Sequence, residues 1–200
     1  SGIHGYHVLL TQTENSLPTD HTGDDCYSYI EDPTEEGGSI VVGINPAGCQ
    51  LTDGTYYLYL QAQDNAGNIN ETAAHLFTYR YDASEPNAPT AISSTTVGYS
   101  SENSFDFFWA PATDVGGSGI AYYEYKTGST DPEDPFSEWQ VTSGPDDRVA
   151  YGVTAYTQGQ NMFFVRSVDN AGNYSAISSN LAASPFYFNE SAPTAPTNLT

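Results

Sequence analysis

The five residues Asp64-Asn65-Ala66-Gly67-Asn68 return unchanged as Asp169-Asn170-Ala171-Gly172-Asn173, 105 positions further along the chain. Carboxylates and Asn carbonyls are hard oxygen ligands, the kind of which calcium takes six to eight. The same residues also suit a tight hairpin connection without any metal, because Asp and Asn bond their own backbone and Gly takes positive φ. No contiguous EF-hand loop is present, so both readings stand at this point. Two cysteines, Cys26 and Cys49, could form a disulfide or remain as two buried thiols. A bridge would contribute on the order of 3 kcal/mol in the chain-entropy account and would favour an oxidising compartment. His4, His7, His21 and His75 are scattered without metal-ligand spacing. No nucleophile elbow, metalloprotease helix, phosphate-cradling loop or Cys/His cluster occurs. Asp24-Asp25, Glu35-Glu36 and Asp146-Asp147 fall in loop-like stretches with no matched glycosidase pair. The expectation is a chain that is not an enzyme and has no catalytic residues.

Composition narrows the class further. There are 25 acidic residues against 4 basic ones, a formal net charge of −21, which argues against nucleic acid as a partner. Lys126, Arg80, Arg148 and Arg166 are the only lysines and arginines, so dissolved cations must balance most of this charge. No apolar run approaches the roughly 20 residues of a spanning helix, so no membrane insertion is expected. Aromatics make up 14% of the chain, enough to build cores and unlike a disordered acidic tail. The chain starts at Ser1 with neither a methionine nor a signal segment, as a mature product or processed fragment would.

The elements that must position these residues are strands. In Gly54 to Asp64, alternation puts Tyr56, Leu58, Leu60 and Ala62 on one face and Tyr57, Tyr59, Gln61 and Gln63 on the other. In the second copy Phe163, Val165 and Ser167 take the inward places. Ile3 to Leu10, Cys26 to Ile30, Ser39 to Ile44 and Leu76 to Tyr81 read as further strands of the first copy. Thr90 to Val97, Phe105 to Trp109, Ile120 to Lys126 and Trp139 to Thr142 read as strands of the second, with Phe186 and Phe188 answering Tyr79 and Tyr81. Ser1-Gly2-Ile3 also returns as Ser118-Gly119-Ile120, and Asn87-Ala88-Pro89-Thr90 returns loosely as Thr194-Ala195-Pro196-Thr197. A period near a hundred residues means repeated whole domains. No stretch sustains a helical period, so the chain reads as all-β, in tandem antiparallel β-sandwiches.

Trp109 at a strand end, Thr113-Asp114 followed by Ser118-Gly119-Ile120 and Tyr123, and Gly54-x-Tyr56-x-Leu58-x-Leu60-x-Ala62-x-Asp64 together resemble the bacterial fibronectin type III-like and immunoglobulin-like domains found in tandem on surface and secreted proteins. The resemblance covers nearly the whole chain and implies architecture more than activity. It implies a tyrosine corner at Tyr56 and none in the second copy, where Asn161 stands instead. It also implies that the loops of Asp114 and Asp169 emerge at one end, where the linker bearing Asp82 and Glu85 arrives. Asp64, Asp82, Asp114, Asp169 and Asn170 are therefore the candidate calcium ligands, and calcium would stiffen the joint between domains. The expected divisions are 1–84, an incomplete sandwich lacking its first two strands; 85–193, a complete one; and 194–200, the start of a following repeat or an extended tail.

An incomplete sandwich exposes a sheet edge and core aromatics, which a neighbouring subunit could cover by donor-strand exchange. Tyr57, Tyr59, Met162 and Phe164, with Val168, occupy the strand face expected to look outward, and form a candidate interaction face. Its partners would be neighbouring domains of the array, neighbouring subunits or a glycan, unless loops of the same domain cover it. Asn70, Asn173, Asn189 and Asn198 fit the N-glycosylation acceptor pattern. The function expected is a structural or interaction array of a secreted or cell-surface protein: a stalk, an adhesin or a filament component. The alternatives are a carbohydrate-binding or spacer module of an extracellular polysaccharide-degrading enzyme, and a filament subunit completed by strand exchange.

Overall fold

A computed structural model describes residues 2–20, 26–31, 49–96, 98–129, 138–179 and 185–191. The expected strand Ser39 to Ile44, the sequon at Asn198 and the tail 194–200 lie outside these residues. The chain divides into two compact units, Ser1–Ala83 and Ser84–Thr200. Among the described residues all regular structure is β, apart from one 3-10 turn at Pro18–Asp20.

The first unit holds a four-stranded antiparallel sheet in the order β2-β1-β3-β4, from β1 (Ile3–Thr11), β2 (Cys26–Glu31), β3 (Gly54–Asp64) and β4 (Ala74–Tyr81). Strand parity sorts β3 as the alternation requires. Tyr56 and Leu58 point into a cluster with Val8, Leu10 and Cys26, against which Leu60, Cys49 and Tyr81 pack. Cys26 and Cys49 are joined in a disulfide with Cα atoms 5.1 Å apart. Among the described residues β4 is an edge strand, and its Leu76 and Phe77 are each 51% exposed.

The second unit is a sandwich. One sheet has the order β10-β7-β5, from β5 (Thr90–Ser94), β7 (Phe105–Ala110) and β10 (Val149–Val153). The other has the order β6-β13-β11-β8-β9, from β6 (Tyr99–Ser100), β8 (Ile120–Gly128), β9 (Gln140–Val141), β11 (Gly159–Asp169) and β13 (Phe186–Phe188), with β12 (Ser178–Ser179) pairing β11. All pairings are antiparallel except β6 with β13. Phe105, Phe107 and Trp109 of one sheet meet Tyr123, Phe163, Val165, Phe186 and Phe188 of the other. Phe107 stacks on Phe163 with centroids 4.1 Å apart, and Phe186 meets both Phe105 and Phe107. Burying aromatic area from both sheets is the main stabilising contribution here. Phe186 and Phe188 are buried, whereas Tyr79 at the corresponding place on β4 is 38% exposed.

Candidate functional site

Both repeated pentapeptides close their hairpins by the same bonds. Asp64 Oδ1 accepts from the N–H groups of Ala66 and Asn68 at 2.8 and 2.9 Å, and Oδ2 accepts from Asn68 Nδ2 at 3.0 Å. Asp169 Oδ1 accepts from Ala171 and Asn173 at 2.8 Å each, and Oδ2 from Asn173 Nδ2 at 2.8 Å. Gly67 and Gly172 sit at φ of 88° and 93°, where an L side chain is strained. The turn is thus a self-contained Asx structure in which one carboxylate organises four following residues.

In the second unit Asp169 is buried and Asp114 half-buried, and they bring carboxylate oxygens within 4.8 Å of each other. Asp114 Oδ2 accepts from Gly119 N–H at 2.7 Å, and a Cβ on Gly117 would overlap the Asp114 carboxylate. Asn170 turns its amide nitrogen to the carbonyls of Ser118 and Gly119, at 3.0 and 2.9 Å, so it ties the hairpin to the start of β8. Asp64 and Asp82 belong to the first unit, at the end of β3 and just after β4.

The expected interaction face needs correction. Tyr59, Met162, Phe164 and Val168 are buried, and Tyr57 is half-buried, so these side chains do not present a free face to a partner. In the first unit the segment 12–20 folds over β3. Tyr59 Oη accepts from Asn15 N–H at 2.7 Å, and Gln61 Oε1 accepts from the Thr19 N–H and hydroxyl at 3.1 Å each. In the second unit Arg166 occupies the place of Gln61. Its guanidinium lies between the rings of Trp139 and Tyr174, 4.4 and 4.1 Å from their centroids, and bonds Glu124 through Nε at 2.8 Å and Nη2 at 2.6 Å. Phe164 and Arg166 pair across the ladder with Lys126 and Glu124. A stacked cation and its carboxylate thus lie on the sheet face that parity alone assigns to solvent.

Sequence reasoning missed this group of four. The available signal was one of the few cations, Arg166, at an outer strand position opposite an acid on the neighbouring strand. Two sequon asparagines are also engaged: Asn70 bonds the Ala62 N–H and the Thr72 carbonyl, and Asn173 holds Asp169. Asn189 is exposed, and its Oδ1 accepts from Ser191 N–H at 3.0 Å.

The two facing sheets of the second unit define an antiparallel β-sandwich, and the first unit repeats the central strand and hairpin of that sandwich within its single described sheet. No protein-family model matches the chain. It is 34% identical over 141 residues to exoglucanase B of Cellulomonas fimi, a match covering 66% of this chain and 12% of that protein. The chain thus spans about an eighth of the length of this relative. Among solved structures it is similar to a titin segment (TM-score 0.48, 15% identity, 90% of this chain and 52% of that one). The FN1–FN3 domains of chicken CNTN1 give a TM-score of 0.46 at 12% identity, over 87% of this chain and 52% of that one. A two-domain fibronectin type III segment of chicken tenascin gives 0.39 at 13%, over 90% and 83%. Among the described residues no helix is long and apolar enough to cross a membrane.

Proposed function

We propose that this chain is a non-catalytic pair of spacer modules within a larger extracellular protein that degrades polysaccharide. The observation that carries this is the 34% identity to an exoglucanase over 66% of the chain. The stacked aromatic core of the second unit and the hairpins of both units, closed by their own Asp and Asn, suit a module that holds its shape while other parts of the polypeptide do chemistry. The disulfide fits an oxidising, extracellular setting. The test is to recover the full-length polypeptide and compare it with a form deleted of this tandem. Turnover of soluble glucan oligosaccharides should be unchanged by the deletion, and turnover of insoluble glucan should fall. A full-length polypeptide inert on all polysaccharides would overturn the proposal.

A surface or filament array is the second reading, and the exposed edge strand β4, with Leu76 and Phe77, favours it. Light scattering decides: open-ended oligomers that survive dilution support a filament, and discrete monomers exclude it. Calcium shared by Asp114 and Asp169 would stiffen the second unit under either reading.

A further inference from the structure

β3 and β11 run into the same pentapeptide, and each pairs with the strand that follows its hairpin at the same register. Tyr56 faces Tyr79 and Gly54 faces Tyr81 in the first unit, as Asn161 faces Phe186 and Gly159 faces Phe188 in the second. Tyr79 therefore holds the place of Phe186, and Phe77 follows on the same face, opposite Leu58. The surroundings of the two places differ. Phe186 is 2% exposed, beneath Phe105 and Phe107 of β7, with centroids 4.5 and 5.1 Å away. The edge of β13 is taken by β6, which runs parallel to it; the N–H groups of Tyr187 and Asn189 donate to the Gly98 and Ser100 carbonyls at 3.2 and 2.9 Å. One stretch, 98–107, supplies both the rings over the face and the strand along the edge. On β4 neither place is filled among the described residues. Phe77, Tyr79 and Tyr81 form a row with centroids 6.4 and 6.3 Å apart, Phe77 is 51% and Tyr79 38% exposed, and no strand pairs the edge away from β3.

We propose that the inner face and open edge of β4 receive a segment of the same longer polypeptide, which pairs parallel to β4 along the edge and then lays two aromatic rings on Phe77 and Tyr79. The proposal rests on the reading above that the chain is part of a larger protein. The occupant's chemistry follows from what it covers. Phe77 and Tyr79 carry no charge, so the crossing part bears aromatic side chains at alternate positions, as Phe105 and Phe107 stand in β7. The source follows from the route. Ile3 of β1 faces Asp64 as Ile120 of β8 faces Asp169, and Ser1-Gly2-Ile3 repeats Ser118-Gly119-Ile120, so a segment over β4 enters β1 as 98–117 enters β8. A second copy of the chain would offer this chemistry only by withdrawing its own 98–107, whose Phe105 and Phe107 are fully buried in the core of the second unit.

The experiment adds a second copy of residues 88–117 directly before Ser1 of the 200-residue chain. The first unit should then melt about 4–8 °C higher. The Arg80 amide, at the register place of Tyr187, should exchange with solvent about tenfold more slowly or better. Phe105→Ser with Phe107→Ser, made in the added copy alone, should remove both gains. Unchanged melting and exchange in a folded extended chain would overturn the proposal. Where the extended chain fails to fold, a synthetic peptide of residues 98–110 is titrated into the 200-residue chain. Saturable binding with a dissociation constant of about 1–100 μM, weakened about tenfold by Tyr79→Ser, supports the site, and absence of binding overturns it. Open-ended oligomers that persist once the copy is added would assign the face to a neighbouring subunit and overturn it as well. A full-length polypeptide inert on polysaccharide removes the enzyme reading and leaves this occupant in place, whereas an unmoved Arg80 amide removes this occupant alone.

Discussion

Asn161 grips Thr157 with the pair of bonds by which Tyr56 grips Thr52. Asn161 Nδ2 donates to the Thr157 carbonyl at 2.7 Å and Oδ1 accepts from its N–H at 2.9 Å. Tyr56 Oη donates to the Thr52 carbonyl and accepts from its N–H, at 2.9 Å each. One amide supplies the donor and acceptor that one phenol supplies, four residues back in both cases. Asn161→Ala should cost about 2–4 kcal/mol, because the side chain is fully buried and two backbone groups lose their partner. Tyr56→Phe, which keeps the ring, should cost about 1–2 kcal/mol. Calorimetry should assign the first loss to the second unit and the other to the first; an Asn161→Ala protein as stable as wild type would remove this account.

The Arg166 group should act as a unit. Glu124 and Arg166 side chains are 11% and 22% exposed, so their pair lies between a surface bridge worth about 0.5 kcal/mol and a buried one whose breaking costs about 3–5. Arg166→Met should lose about 2 kcal/mol by chemical denaturation, because it leaves Glu124 without its counter-charge. A double-mutant cycle of Arg166→Met with Trp139→Leu should return a coupling of about 0.5–2 kcal/mol. Strict additivity would mean that the stacking contributes nothing.

Alkaline pH should unfold the second unit earlier than solvent-exposed tyrosines would allow. Burial, and then the nearby Asp147 carboxylate, push the Tyr125 hydroxyl above its ordinary pKa of about 10. The folded form therefore holds this proton more tightly than the unfolded form. The associated stability is fully present below about pH 10 and is lost as pH rises through the folded value. Tyr125→Phe should flatten the decline of stability above pH 10; an unchanged slope would assign the decline to other groups.

The inward face was legible, and its outer cover was not, for one reason. Period-2 alternation states which side of a strand Phe163 and Met162 take, and the side that enters the core cluster is largely apolar in both units. It does not state what lies over the other side. Met162 and Phe164 are buried although parity assigns them outward, and on that same outer face Arg166 of β11 stacks on Trp139, a residue remote in sequence. Residue type misled at Asn161 as well, since the tyrosine-corner pattern names a ring where the structure requires only a donor and an acceptor. The hairpin Asp residues were legible as turn formers because their bonds span at most four residues.

Asp114 and Asp169 set the remaining test. Their carboxylate oxygens lie within 4.8 Å of each other, and two like charges at that separation raise the energy of the fold. Backbone N–H groups already offset part of this, from Gly119 to Asp114 and from Ala171 and Asn173 to Asp169. A divalent cation bridging the pair would remove the repulsion and add oxygen ligation. Millimolar calcium should then raise the melting temperature of the second unit by several degrees, as a gain of about 1 kcal/mol would. Asp114→Asn keeps an oxygen for the Gly119 N–H and removes one charge, so it should abolish the calcium response without unfolding the turn. Equal melting temperatures in calcium and in chelator would remove the metal, leaving closure of the hairpins as the whole role of Asp64 and Asp169.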